Sequence, residues 1–495
     1  MKQTFSIILS AMICFISCKE GNRTIDRPIF SVRNTNTLEI DKIVLTDTAT
    51  IFYIDAFYYP KNWIRIDSLT YLQAGDRKYF ITGSEDIELS KDFWMPESGE
   101  ASFVLLFPPI ERELEKIDFI ESDCDDCFKI YGIDLTGKAS YTVHPEGLPQ
   151  ELCDTQPDMS VSLPEAELKI GTTHINLHLP GYRKGMDNGK VTMYNIRFFP
   201  SVEDEIIFPI DENTGDASIE FEQYGTMQSI IRAAGQLIRF VSSPGETMDI
   251  YVDLQECGRQ GARYHKSEYT PNPVFYFTGK NAAINQALNH KNDKYKLQLQ
   301  SGDTYNKIVG MNADEFTEYV ISEYKDITET INQSAELSTL EKELIDAENK
   351  VMVHYFLLTG ENQLDEAFRI KNKLPGDQRE LKNYKTPEFT GKHYDIIKDI
   401  RIDGTKCLYT EMFSYIYPMY FSGKTNLELI TGQKEGLLYD LRKVHRLSHK
   451  IEEMEPLTDK EKAELATIKN PFYANVLNSL DKKLQKQLEE AKSKT

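Results

Sequence analysis

The sequence predicts a multidomain protein of the β + α class, with two β-sandwich-like domains followed by an α-helical domain. Up to about residue 279, short apolar segments alternate with turn signals roughly every ten residues, a spacing typical of β-sandwiches. Beyond that point the period of the apolar residues changes from two to about 3.6, which indicates helices. A chain of 495 residues is long enough for two to four such domains.

The first β-rich domain is expected over residues 29–145. Its clearest strands are Leu38–Leu45 (LEIDKIVL) and residues 101–107 (ASFVLLF), the second being a continuous apolar run suited to a buried strand. Residues 63–66 (WIRI) form a further strand-like segment before an Asp-Ser turn. A linker rich in proline and acidic residues follows over residues 146–165.

The second β-rich domain is expected over residues 166–279. Residues 174–179 (HINLHL) alternate between apolar and polar, as a strand with one buried face does, and residues 248–254 (MDIYVDL) repeat that pattern.

The α-helical domain is expected over residues 280–495. Apolar residues at helical spacing over residues 315–331 follow Asn312, a suitable N-cap. Two further helix starts carry the capping-box pattern, in which Ser or Thr and a Glu three residues later satisfy free backbone N–H groups. These pairs are Ser338 with Glu341 and Thr458 with Glu461.

The first residues have the layout of a secretory signal peptide, with Lys2 followed by an apolar run too short to span a bilayer. The closing residues 15–18 (FISC) resemble the bacterial lipobox, which implies cleavage after residue 17 and lipidation of Cys18. A plain cleaved signal with an incidental cysteine is the alternative. We therefore expect a signal peptide over 1–17, a tether over 18–28 and an exported lipoprotein of the cell envelope, at the outer membrane.

The acidic composition limits the partners. A net charge of −21 and an isoelectric point near 5.0 argue against nucleic acid, whose phosphates require clustered Lys and Arg. The same charge gives no attraction to anionic lipid, so we expect the lipid anchor alone to hold the protein at the membrane. We expect no cofactor.

Five cysteines remain in the expected mature chain beyond Cys18, and an odd number implies at least one free thiol or an intermolecular bond. Cys124 and Cys127 are the only pair with chemically meaningful spacing. Neighbouring acidic residues disfavour the thiolate that redox catalysis needs, so a structural disulfide across a turn is favoured. Buried free thiols, a metal site and a redox pair remain open alternatives, as does calcium binding by the acidic loop.

Two histidine pairs have spacings that present two imidazoles on one side. His445 and His449 lie four residues apart on an expected helix, but the H-E-x-x-H zinc motif is absent and basic neighbours repel a cation. His174 and His178 share the polar side of a strand. We interpret both pairs as solvent-facing and expect no metal site. Phosphate-binding loops and a G-x-S-x-G elbow are also absent, so the sequence indicates no catalytic residue.

Several segments resemble the N-terminal, non-catalytic region of the TlpA-like thiol–disulfide oxidoreductase lipoproteins. They are residues 38–50 (LEIDKIVLTDTAT), 93–109 (FWMPESGEASFVLLFPP), 117–135 (IDFIESDCDDCFKIYGIDL), 243–254 (SPGETMDIYVDL) and 457–474 (LTDKEKAELATIKNPFYA). In that family a β-rich region and a helical segment precede a thioredoxin domain with a W-C-x-x-C site. Neither Trp63 nor Trp94 is followed by cysteine, so no catalytic residue of the family can be transferred to this sequence.

These observations favour a lipid-anchored envelope protein that binds a small-molecule or protein ligand or acts as a scaffold. The alternative is a thiol–disulfide redox protein that uses Cys124 and Cys127, or the partner half of a split thioredoxin-family reductase. A hydrolase without a recognisable motif is a third hypothesis.

Overall fold

The computed structural model describes residues 22–142, 146–155, 158–196, 203–265, 270–290, 292–375, 381, 384–402, 404–421, 427–432 and 434–493. The expected signal peptide and Cys18 lie outside these residues. The described chain combines β-sheets with helices, which confirms the prediction of a mixed β and α protein. None of the described helices is long and apolar enough to cross a lipid bilayer.

The chain divides into two compact units. Unit 1 takes its residues from Met1–Thr142 and Gly258–Thr270, and unit 2 from Val143–Cys257 and Pro271–Thr495. Strands and helices on both sides of residue 279, where the sequence analysis places a domain boundary, therefore belong to unit 2.

Unit 1 contains twelve described strands. They are β1 (Arg23–Asp26), β2 (Val32–Arg33), β3 (Leu38–Leu45), β4 (Thr50–Phe57), β5 (Trp63–Ile64), β6 (Tyr71–Ala74), β7 (Arg77–Phe80), β8 (Gly83–Glu85), β9 (Phe93–Trp94), β10 (Glu100–Phe107), β11 (Lys116–Ile120) and β12 (Lys129–Asp134). One five-stranded sheet has the order β1-β3-β4-β10-β8, a second has the order β2-β12-β11-β6-β7, and β5 pairs with β9 alone. Every pair is antiparallel.

Both five-stranded sheets contribute to one hydrophobic core. Alternate residues of β4 are buried, as a strand with one face in the core requires. The ring of Phe52 on β4 lies 5.5 Å from that of Phe107 on β10 and 6.2 Å from that of Phe119 on β11. The continuous apolar run of β10 buries one side more deeply than the other, because the side chains of a strand alternate between two faces.

A later segment of the chain completes unit 1. The end of helix α2 (Leu254–Gly261) and the residues after it pack on the first β-rich region. The buried Glu39 carboxylate accepts from the buried guanidinium of Arg33 at 3.0 Å and from the backbone N–H of Arg263 at 2.9 Å. A hydrogen bond to a charged group contributes about 1.5–3 kcal/mol, so the bond from Arg263 to Glu39 helps to fix where the segment docks.

Unit 2 contains eight described strands and two four-stranded sheets. The strands are β13 (Ile170–His178), β14 (Lys190–Ile196), β15 (Glu203–Pro209), β16 (Asp216–Tyr224), β17 (Met227–Ala233), β18 (Gln236–Ser242), β19 (Thr247–Val252) and β20 (Phe275–Phe277). The sheet orders are β16-β13-β19-β20 and β15-β14-β17-β18. The β13 and β19 strands are parallel, and the other pairs are antiparallel.

The remaining described elements of unit 2 are helices. In chain order the other α-helices are α1 (Gln150–Asp154), α3 (Ala282–Asn289), α4 (Gly302–Ile308), α5 (Ala313–Gln333), α6 (Thr339–Leu358), α7 (Gly360–Lys371), α8 (Glu411–Ile416), α9 (Leu427–Thr431), α10 (Leu437–Glu452), α11 (Asp459–Leu465) and α12 (Pro471–Ser493). Short 3₁₀ segments cover Asp293–Tyr295, Gly391–Lys398, Thr405–Tyr409 and Tyr417–Phe421. The three predicted N-caps, Asn312, Ser338 and Thr458, are confirmed, and each forms a capping box.

One buried histidine links three segments of unit 2. His354 on α6 is fully enclosed; its Nε2–H donates to the carbonyl of Ile400, and its Nδ1 accepts from the hydroxyl of Tyr420. Burial lowers the pKa of His354 to about 4, so the ring is neutral at pH 7, and Nδ1 is then the acceptor because Nε2–H donates to the carbonyl. An unfolded histidine titrates near pH 6.5.

Acid should therefore destabilise unit 2 through His354. Between about pH 6.5 and 4 the unfolded state binds a proton that the folded state does not, so stability is full above that window and is lost as the pH falls, by up to about 3 kcal/mol. We predict that His354→Gln lowers the urea midpoint at pH 7 and flattens its decline towards pH 4.5, with helix loss followed by circular dichroism. The exposed His449 gives the control, His449→Gln. An equally steep decline in His354→Gln and wild type would contradict the assignment.

Candidate functional site

The predicted cysteine pair forms a disulfide bond in the connection between β11 and β12. Cys124 is exposed and Cys127 is buried, and the backbone N–H of Cys127 lies 3.4 Å from the carbonyl oxygen of Cys124. The two Cα atoms are 5.3 Å apart, within the range that a disulfide spans. The connection is therefore a tight covalent loop with one sulfur near solvent.

Hydrogen bonds hold both cysteines in place. The side-chain amide of Asn34 donates to the carbonyl of Cys127 at 2.8 Å, while its oxygen accepts from the backbone N–H of Lys129, also at 2.8 Å. The ammonium of the buried Lys129 bonds to the carbonyl of Cys124. Sequence reasoning counted the acidic neighbours of the loop and missed this cation, although Lys129 lies only two residues after Cys127.

Asp123 and Glu121, two acidic residues beside the loop, accept hydrogen bonds from different partners. Asp123 accepts from the hydroxyl of Tyr71 at 2.6 Å, and this bond lowers the pKa of Asp123, while burial and the same bond raise the pKa of Tyr71. Burial raises the pKa of Glu121, which accepts from the backbone N–H of Phe128 at 2.9 Å. Within the described part of the chain, no group of three or more His, Cys, Asp or Glu side chains is arranged to hold a metal ion.

A second candidate site lies on β5 and β9, which carry both tryptophans of the chain. Trp63 and Trp94 stand directly opposite each other in the antiparallel pair, so both lie on one face. On the other face Ile64 is buried, and Phe93 packs against the core of unit 1. The exposed fractions of the tryptophans are 46% for Trp63 and 63% for Trp94, unusual for the largest apolar side chains.

Two further exposed aromatic residues, Tyr58 and Tyr59, precede β5 on a chain segment that is hydrogen-bonded to residues 95–99. Tyr58 is 39% exposed and Tyr59 is 69% exposed, with ring centroids 5.3 Å apart. The backbone N–H of Tyr58 donates to the carbonyl of Gly99 at 3.0 Å, and Asn62 closes a turn onto the carbonyl of Tyr59 at 3.1 Å. Below, Tyr58, Tyr59, Trp63 and Trp94 are called the aromatic surface.

Charged residues of both signs border the aromatic surface. Lys61 pairs with Glu97 at 2.9 Å, and Arg65 pairs with Asp92 at 3.9 Å. The guanidinium of Arg65 also lies 5.6 Å from the centroid of the Trp63 ring. Exposed pairs of this kind contribute at most about 1 kcal/mol to stability. The two pairs place hydrogen-bonding groups of both charges within a few residues of the exposed rings, and these four charges cancel.

The two histidine pairs occupy different surroundings. His174 and His178 lie on β13 near carboxylates of neighbouring strands: Nδ1 of His178 is 2.8 Å from Asp216, and its Nε2 is 3.6 Å from Asp249. The two carboxylates contact opposite nitrogens of the His178 ring. They are therefore not arranged to bind one metal ion together with this histidine.

The pair on α10 differs from the interpretation as a solvent-facing pair. His445 is half-buried, with its ring centroid 5.8 Å from those of Tyr417 and Phe421, and burial lowers its pKa. His449 is exposed and lies 3.4 Å from Glu453. The two imidazoles therefore have unlike surroundings, one apolar and one solvated.

Comparison of the chain with protein-family models, with curated proteins and with solved structures found no match.

The disulfide should contribute modestly to stability. Closing a loop of four residues restricts the unfolded chain by about 2 kcal/mol. We predict that replacing both Cys124 and Cys127 by Ser lowers the free energy of unfolding of unit 1 by this amount, measured by hydrogen exchange at β11 and β12. Cys153→Ser, which removes a thiol of unit 2, is the matched control. Unchanged exchange in the double variant would contradict a structural role.

Proposed function

We propose that this protein is a lipid-anchored protein of the cell envelope that binds a ligand through the aromatic surface. The observation that carries the proposal is that both tryptophans of the chain point into solvent from a small sheet whose other face is core. Exposed apolar side chains that lie next to one another mark interaction sites more often than scattered ones do, and Trp and Tyr contribute most to such sites.

The sequence supports the proposed location of the protein and its proposed relation to a lipoprotein family. The lipobox-like residues before Cys18 support anchoring at the outer membrane, and the segments quoted above support a relation to the non-catalytic part of TlpA-like lipoproteins. For the fold, we propose that the two larger sheets of each unit form a β-sandwich-like domain. The core shared by both five-stranded sheets of unit 1 supports it.

A second candidate function is thiol–disulfide exchange at Cys124 and Cys127. The exposure of Cys124, the burial of Cys127 and the nearby ammonium of Lys129 favour it, since an exposed sulfur can be attacked and a cation stabilises a thiolate. Redox titration separates the two roles. A reduction potential between about −270 and −120 mV would support exchange, and a potential below about −300 mV would support a structural bond.

The anchor is tested by metabolic labelling with an alkyne fatty acid in a bacterial host that lipidates lipoproteins. We predict that wild-type protein incorporates the label and partitions into the detergent phase, whereas Cys18→Ser does neither. Cys14→Ser is the matched control, because that cysteine would leave with the signal peptide. Label retained in Cys18→Ser, or lost in Cys14→Ser, would contradict the assignment.

A further inference from the structure

We infer that the ligand of the aromatic surface is an uncharged sugar chain. This inference rests on the proposed binding function and adds the chemical class of the ligand. A sugar ring presents C–H groups on its faces and hydroxyl groups around its edge. The aromatic surface offers the matching arrangement, with exposed indole and phenol rings and hydrogen-bonding side chains beside them.

The shape of the site favours an extended ligand. Directly opposite residues of an antiparallel pair have Cβ atoms about 4.5–5.5 Å apart. Trp63 and Trp94 therefore stand side by side on a two-stranded sheet, and Tyr58 and Tyr59 precede β5 on a hydrogen-bonded segment. Exposed aromatic rings on two hydrogen-bonded segments can contact successive units of one extended chain. Ile64 and Met95, the aliphatic neighbours of the two tryptophans, are buried, so a ligand at the aromatic surface would contact aromatic rings.

The charges around the aromatic surface favour an uncharged ligand. Lys61 is matched by Glu97 and Arg65 by Asp92, so neither sign predominates among these four groups. An anionic ligand would require unpaired cations, and a cationic ligand would require unpaired carboxylates. Paired charges still offer N–H donors and carboxylate acceptors to hydroxyl groups, which donate and accept.

The position of the aromatic surface within unit 1 argues against its insertion into the membrane that carries the proposed anchor. Arg23, where the described chain begins to pair, lies opposite Leu45, which in turn lies opposite Thr50 at the start of β4. The aromatic surface begins after Phe57, at the other end of β4. Eight residues of strand span about 27 Å, so the chain leading from the proposed anchor enters the sheet at the end away from the rings.

The first experiment is a titration of full-length mature protein in a polyoxyethylene detergent, which has no sugar headgroup. The probes are the hexasaccharides of cellulose, xylan, laminarin, mannan and chitin, with polygalacturonate as an anionic comparison. Because Trp63 and Trp94 are the only tryptophans of the sequence, fluorescence excited at a wavelength that tyrosine does not absorb reports on these two residues. We expect a saturable change with at least one neutral hexasaccharide and none with polygalacturonate.

Variants then locate the binding by calorimetry. Trp63→Ala and Trp94→Ala should each weaken binding about tenfold or more, the loss typical of a central aromatic contact. Phe80→Ala removes a ring that is 50% exposed in the same unit but outside the aromatic surface, and it should leave the affinity unchanged. Circular dichroism establishes that each variant remains folded.

The outcomes separate this inference from the proposed function. Phosphatidylcholine vesicles and unfolded casein are titrated in parallel. Tryptophan-dependent binding of either, without a neutral hexasaccharide, overturns the sugar assignment and leaves a binding role. Sugar binding that persists in both tryptophan variants overturns the site. Absence of tryptophan-dependent binding to any of these probes overturns both proposals.

Discussion

The alternation of side chains on β5 and β9 decides what unit 1 presents to solvent at its small sheet. Ile64 and Phe93 must face the core, because apolar burial stabilises the unit by roughly 25 cal/mol per Å². Their neighbours Trp63 and Trp94 must then face outward, since successive residues of a strand point to opposite faces. A shift of one residue would reverse the arrangement and expose the core residues. The packing that stabilises the sheet thus fixes the exposure of the tryptophans.

Local patterns predicted much of the secondary structure. The bounds of β3 agree with the predicted Leu38–Leu45, and Ile175 and Leu177 of β13 are buried as their alternation indicates. The capping boxes at Ser338 and Thr458 form because all their partners lie within three residues. Information of this kind is contained in a short window of sequence.

Local sequence patterns did not predict which distant segments of the chain pair with each other. The parallel pairing of β13 with β19 joins strands about seventy residues apart, and no local pattern specifies it. The return of the segment after α2 to unit 1 depends on the carboxylate of Glu39, more than two hundred residues earlier. The aromatic surface was also missed. Trp63 was assigned to a strand-like segment, but its exposure follows from pairing with Trp94, which the sequence alone did not reveal.

The two candidate sites of unit 1 differ in how tightly their surroundings hold them. The cysteine loop is clamped by Asn34 and Lys129 and closed by a covalent bond, so its geometry is largely fixed. The aromatic surface is held from the core side by Ile64 and Phe93, and its rings are partly exposed to solvent. A rigid backbone carrying exposed rings suits recognition, because aromatic side chains lose little conformational entropy on binding. This arrangement suits the binding role that we propose for the aromatic surface.

The most direct test of this account is quenching of tryptophan fluorescence by acrylamide in the folded protein without ligand. Both tryptophans should emit as solvent-accessible indoles and be quenched substantially before unfolding, in keeping with their exposed fractions of 46% and 63%, with a moderate further increase in urea. Blue-shifted emission that resists quenching until the protein unfolds would show that the indoles are buried, and the account of the aromatic surface would then be wrong.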